Sequence, residues 1–286
     1  MRKFDMGQAW AINVAMLKDH GIVVGVVLLA SYALMGLLFY LLFADMSALM
    51  FNPMQADPAA MSAMMAGRVG QLVFIGLITS VISIAGYFIV WRIALSRGQE
   101  SIGGAIGYGL LAAVPALFAI VVLYIAFVIA LLIVGMILGL IFGVAMMGTD
   151  SPGVGTGVGI GIGMILFYIG LLFFVLFLGA RLGTTGSIMA AERSFNPFRA
   201  LLESWKLTRN NSLMLMLYLF LISVAFFVIY VVLALVVGLF SNLSIILGII
   251  VGTIVMVPLM VFYVLVPAAI YGALFENDAD VADAFS

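Results

Sequence analysis

The side chains that could act on a substrate are few. His20 is the one histidine, and the chain has no cysteine. That removes thiolate nucleophiles, disulfides and cysteine zinc sites, and it leaves the serines and threonines without a hydrolase triad. A histidine can serve as a proton switch, but no carboxylates converge on His20 in sequence. A solvated residue at a helix-to-membrane junction is the stronger expectation. The twelve acidic residues are Asp5, Asp19, Asp45, Asp57, Glu100, Asp150, Glu192, Glu203, Glu276, Asp278, Asp280 and Asp283. Each lies outside the long apolar runs, and so does each basic residue. Ionisable groups inside a span are the usual marks of proton relays and ion-coupled transport, so their absence argues against both.

Other motifs fail on spacing. The glycines of residues 153–163 alternate strictly and offer no G-x-G-x-x-G register, and Lys3, Lys18 and Lys206 are the only lysines, which excludes a P-loop. The stretch 44–68 carries Met46, Met50, Met54, Met61, Met64 and Met65. Thioethers suit Cu(I), but no histidine or cysteine accompanies them, so an adaptable apolar lid is expected instead. We expect no catalytic residue, no cofactor and no metal.

What remains is binding. Residues 181–211 hold Arg181, Arg193, Arg199, Lys206 and Arg209 beside Glu192 and Glu203. Such a loop can gather anionic lipid headgroups or an acidic partner segment. Topology alone also places basic residues there. The candidate contacts are Arg199, Lys206 and Arg209, with Trp205 and Trp10 beside them. The acidic tail over 276–283 either covers this loop or is solvated.

These residues must be positioned by membrane-spanning helices. Apolar residues make up 66% of the chain and charged residues 8%, too apolar a balance for a water-exposed surface. Spans of about 20 apolar residues are required to cross the bilayer. They are read at 21–43, 69–91, 109–147, 158–180, 212–240 and 243–274, the last kinked at Pro258 and Pro267. The first run is too long for a signal-peptide core and is read as a retained span. Residues 109–147 fit one long helix, or two spans joined near Gly135 and Gly139. A single crossing puts ten of the basic residues on one side and leaves Arg68 opposite. The positive-inside rule therefore selects six spans with both termini cytoplasmic. Excess length in that run is assigned to an interfacial segment before Pro115 or to helix beyond the membrane. Trp10, Trp91 and Trp205 all fall at the cytoplasmic interface, where indoles are favoured.

Two segments carry helical amphipathic spacing. Asn196 and Pro197 supply an N-cap and a first-position proline. After them Phe198, Leu201, Leu202 and Trp205 share one face, opposite Arg199, Glu203 and Lys206. In the N-terminal segment Met6, Trp10, Val14 and Leu17 align. Interfacial helices are expected over 4–19 and 197–209, in the headgroup layer or against the bundle. With a weaker segment at 102–111, they recur at a period of roughly 95 residues, which suggests three parallel units of interfacial helix plus hairpin. The glycine run is expected to form an exposed turn into a smooth helix. Gly135, Gly139 and Gly143 form one small-residue ridge and Gly248 with Gly252 another, suited to helix packing or oligomer contact.

The stretch Ala200-Leu201-Leu202-Glu203-Ser204-Trp205-Lys206-Leu207-Thr208-Arg209-Asn210-Asn211 follows a span, Arg181 and the segment Ala190-Ala191-Glu192. It resembles the signature loop of the glycerophosphoryl diester phosphodiesterase membrane domain and related YciC-like bacterial inner-membrane proteins. The start Phe4-Asp5-Met6-Gly7-Gln8-Ala9-Trp10 is similar to the opening of such chains. The resemblance implies a six-helix bundle in the bacterial cytoplasmic membrane, with no activity attached to the membrane part. The phosphodiesterase domain of fused members is not expected here, and His20 lies in no His-Arg-Gly motif, so no catalytic residue carries over.

The expected fold is all-α, a polytopic bundle forming a single transmembrane domain. The expected role is a non-enzymatic assembly or accessory subunit, joined to a protein partner or a second copy through its glycine ridges and interfacial helices. The alternative is a lipid-binding or lipid-transporting protein. Membrane lipids are expected partners in either case, and nucleic acid is not.

Overall fold

Lipid offers no partner to a backbone N–H or C=O, so a chain this apolar must satisfy its hydrogen bonds within helices or a closed barrel. The computed structural model describes residues 3–43, 66–96, 99–147, 154–243 and 245–275, leaving out the side chains of 41–43, 138, 141–147, 154–160, 241–243, 245–250 and 253. The methionine-rich stretch over 44–65 and the acidic tail lie outside the described residues. The described residues form helices and no strand: α1 (Met6–Phe43), α2 (Val69–Leu95), α3 (Ile102–Met147), α4 (Val154–Leu182), α5 (Thr185–Glu192), α6 (Pro197–Thr208), α7 (Ser212–Leu243) and α8 (Ile245–Phe275). Six of them, all but α5 and α6, are long and apolar enough to cross a membrane. The chain is an all-α integral membrane protein.

Two expectations change, and the choice left open over 109–147 falls to the single crossing. No separate helix occupies 4–19, because α1 runs unbroken for 38 residues. Asp5 starts it by accepting from the backbone N–H of Gly7 (2.7 Å) and Gln8 (3.0 Å), and no proline follows to stop it. At 1.5 Å per residue α1 is about 57 Å long, nearly twice the thickness of the hydrocarbon core. Residues 109–147 lie within one helix of 46 residues, which passes Pro115 and shows no turn at Gly135 or Gly139. Finally, α4 begins at Val154, so the alternating glycines from Gly155 to Gly163 form helix rather than an exposed turn. Glycine costs about 1 kcal/mol per helical position, yet an unsatisfied backbone in lipid costs several times more.

The spans pack in the order α3, α2, α1, α8, α7, α4, with α2 also touching α8. Among the described residues no packed seam joins α3 to α4. Close approaches occur at isolated glycines. A Cβ at Gly109 would stand 2.8 Å from the Ala85 carbonyl, and one at Gly86 would stand 2.9 Å from Ser31 Oγ. The anticipated ridges behave differently. Gly252 faces Val237 at ordinary contact distance, whereas no atom lies within 4 Å of a Cβ at Gly135, Gly139 or Gly161. Gly143 and Gly248 are helical, but their surroundings fall outside the described side chains.

The buried core gathers at the basic end of the bundle, where Phe4, Ile12, Met16, Val90, Leu215 and Leu265 pack together. The start of α1 touches α8 on both sides of Pro267. Asn13 Nδ2 donates to the Phe262 carbonyl (3.4 Å), and Ile12 packs beside Gly272. Trp91 is half-buried and packs against this core. Its indole N–H donates to the Val264 carbonyl (2.7 Å), in the turn where Pro267 has removed a backbone donor.

Candidate functional site

Between α4 and α7 the chain makes two short helices that close the basic end. At the end of α5 Arg193 adopts the left-handed conformation (φ 52°), and Asn196 then starts α6. The Asn196 side chain accepts from the Arg199 N–H (3.1 Å) and Pro197 takes the first turn, as the sequence indicates.

Small and polar residues turn α6 toward the protein. Ala200, Ser204 and Thr208 are buried, while Phe198, Leu202 and Trp205 are exposed. Ser204 Oγ donates to the Arg181 carbonyl (2.6 Å), and its oxygen lies 2.8 Å from Thr184 Oγ1. This orientation is the reverse of a soluble amphipathic helix and suits an outer face in contact with lipid.

The outward residues tie α6 to two spans. Phe198 meets Phe118 of α3 (6.4 Å between ring centroids), and Trp205 meets Phe177 of α4 (5.9 Å). Helix α6 is therefore a sill beneath the gap between α3 and α4. Farther along, Phe127 of α3 and Phe174 of α4 stack (6.2 Å, 8° between planes) and close the gap above. From Phe118 to Phe127 the helix rises about 13 Å. The result is a side window with a sill, two jambs and an aromatic lintel.

Beside this gap lies a cavity of about 290 Å³, lined almost wholly by apolar atoms, with Leu123 of α3, Leu182 of α4 and Leu201 of α6 in its wall along with Phe88, Trp91 and Met189. Gly186 makes room for the wall: a Cβ there would clash with the Trp91 ring. Thr185 also lines the cavity, and its buried Oγ1 has no hydrogen-bond partner among the described residues.

The charges around the site are unequally matched. Glu100 is held between Arg92 (2.6 Å) and Arg193 (2.7 Å). Arg92 also donates to the carbonyls of Ala190 (2.8 Å) and Ala191 (3.2 Å), closing the end of α5. Tyr108 adds a hydrogen bond from its hydroxyl to the Met189 carbonyl (2.6 Å). Arg199 pairs with Glu203 (3.2 Å) and Glu192 (3.5 Å). Arg181 has no carboxylate partner among the described residues. Its guanidinium lies over the rings of Trp205 (4.8 Å) and Phe177 (5.3 Å), donates to the Trp205 carbonyl (3.2 Å), and buries an unpartnered Nε.

Of the residues singled out from sequence, Trp205 stands on the sill. Lys206 and Arg209 are exposed at the same end of α6, and Arg199 lies on its ion-paired face. Trp10 stands apart, packed on Phe262 of α8 (5.0 Å). Gly135 and Gly139 lie beyond the lintel. Sequence patterning gave no separate role to Arg181, Glu100, Tyr108 or Gly186, because none repeats at a helical or motif spacing. No protein-family model, curated protein or solved structure matches this chain.

Proposed function

We propose that this protein is a non-enzymatic lipid-binding protein of a bacterial cytoplasmic membrane, with both termini on the cytoplasmic side. One observation carries the reading: an apolar cavity takes its walls from five helices, among them α3, α4 and α6, which frame a gap between two spans. An acyl chain reaching it need not cross water. Hydrophobic transfer supplies no drive for a chain already in lipid, so binding rests on dispersion contacts with walls that are otherwise poorly packed. The basic residues at the window end, opposite Arg68, favour a cytoplasmic position for the sill.

The test is native mass spectrometry of the protein released in mild detergent from its own membrane. At least one tightly held phospholipid per chain is expected. Leu123→Trp fills the cavity from a half-exposed position and should remove that lipid while thermal unfolding stays within a few degrees. A folded Leu123→Trp protein that keeps its lipid sinks the cavity assignment.

Assembly with a partner or a second copy is a second reading, favoured by the bare backbone at Gly135 and Gly139. Small residues with nothing against them allow another helix to approach closely.

A further inference from the structure

We infer that the window selects its lipid by charge: the ligand is an anionic glycerophospholipid whose phosphate sits against Arg181, where α6 meets α4. The inference rests on the lipid-binding reading above and adds the headgroup class. Charge counting at the basic end points to Arg181. Arg92 and Arg193 share Glu100, and Arg199 has both Glu192 and Glu203. Arg181 has none of these, and a guanidinium does not shed its charge.

Position agrees with charge. Phe177 and Trp205 hold the guanidinium at the corner of the sill, and the next residue, Leu182, lines the cavity. A lipid with its chain in the window therefore brings its phosphate to the level of Arg181. One Nη1 donor is spent on the Trp205 carbonyl, which leaves Nη2 for a charge-assisted bond to a phosphate oxygen. Lys206 and Arg209, exposed and without ion pairs among the described residues, add positive potential beside it. Counting Arg92, Arg193, Glu100, Arg199, Glu192, Glu203, Arg181, Lys206 and Arg209, the site carries a net charge of about +3. A headgroup bearing an ammonium meets that excess unfavourably, whereas a glycerol headgroup does not.

The test offers the purified protein equal amounts of phosphatidylglycerol and phosphatidylethanolamine with the same chains in mixed micelles, and native mass spectrometry counts each bound lipid. The phosphate contact is common to both lipids, so the preference comes from the ammonium set against the positive site, and wild type should favour phosphatidylglycerol by about tenfold. Chiefly by lowering the phosphatidylglycerol count, Arg181→Gln and Arg181→Met should each bring the ratio toward one. Lys206→Gln should lower it by less than about threefold. A wild type without preference overturns the inference, whatever the variants do. So does a folded Arg181 variant that keeps the preference. Should Leu123→Trp leave the total unchanged, the cavity reading itself fails. Should it empty the site while the Arg181 variants keep the preference, the cavity stands and Arg181 is not its selector.

Discussion

The two ends of the bundle are held by different means. At the basic end, Arg92, Glu100, Arg193 and Tyr108 bind α2, α3 and α5 by ion pairs and backbone contacts, and Gly109 and Gly186 allow close approach. At the far end such devices are scarce. Beyond Ala119 of α3 and Ile222 of α7 no described side chain is buried, and within α4 only Ala180 is. In water that contrast would separate folded from unfolded chain. In lipid an exposed apolar face costs little, so polar bonds and small-residue contacts specify the arrangement where they occur. The lateral window lies where the two regimes meet, with a pinned sill below and a single ring stack above.

The largest effect should come from Glu100. Glu100→Gln leaves Arg92 largely buried without its carboxylate, at a cost of about 3 kcal/mol; the half-exposed Arg193 adds little. Unfolding followed by circular dichroism against added denaturing detergent measures it. A loss below about 1 kcal/mol would show that the ion pairs do not pin this end.

Gly186 tests the packing half of the same claim. Gly186→Val pushes side-chain atoms into the Trp91 ring and should cost about 1–3 kcal/mol, the usual scale of overpacking. Trp91→Ala in the same chain should recover part of that loss, although it also removes the hydrogen bond to Val264. No recovery would mean that the glycine matters for α5 itself rather than for its contact with the ring.

These two residues also show what the sequence could convey. The six spans and the start of α6 are legible because length, apolarity and the Asn196–Pro197 pair are local signals. Gly186 and Gly109 carry no such signal: each is an isolated glycine whose importance depends on what stands opposite. The ridge at Gly135 and Gly139 has the regular spacing, yet among the described residues nothing packs on it. Glu100 looks like one more solvated acid until α3 and α5 bring Arg92 and Arg193 to it. Periodicity also separated 4–19 from the span that follows, because it registers a change of polarity and not the continuity of a backbone. The window was out of reach altogether, since it depends on α3 and α4 failing to pack.

The smallest effect on stability is expected at the far end. Gly135→Leu adds a side chain where no atom of this chain lies within 4 Å, so the change should be within about 0.5 kcal/mol. Size is the more telling measurement, because the same position separates lipid from protein as its neighbour. A leucine facing lipid leaves the detergent-corrected mass from light scattering unchanged. A leucine facing a second helix blocks close approach, so an assembly seen in the wild type should dissociate. Dissociation would make the far end an interface and extend the contrast from packing to function. Unchanged mass would leave Gly135 in contact with the bilayer and remove the observation on which the assembly reading rests.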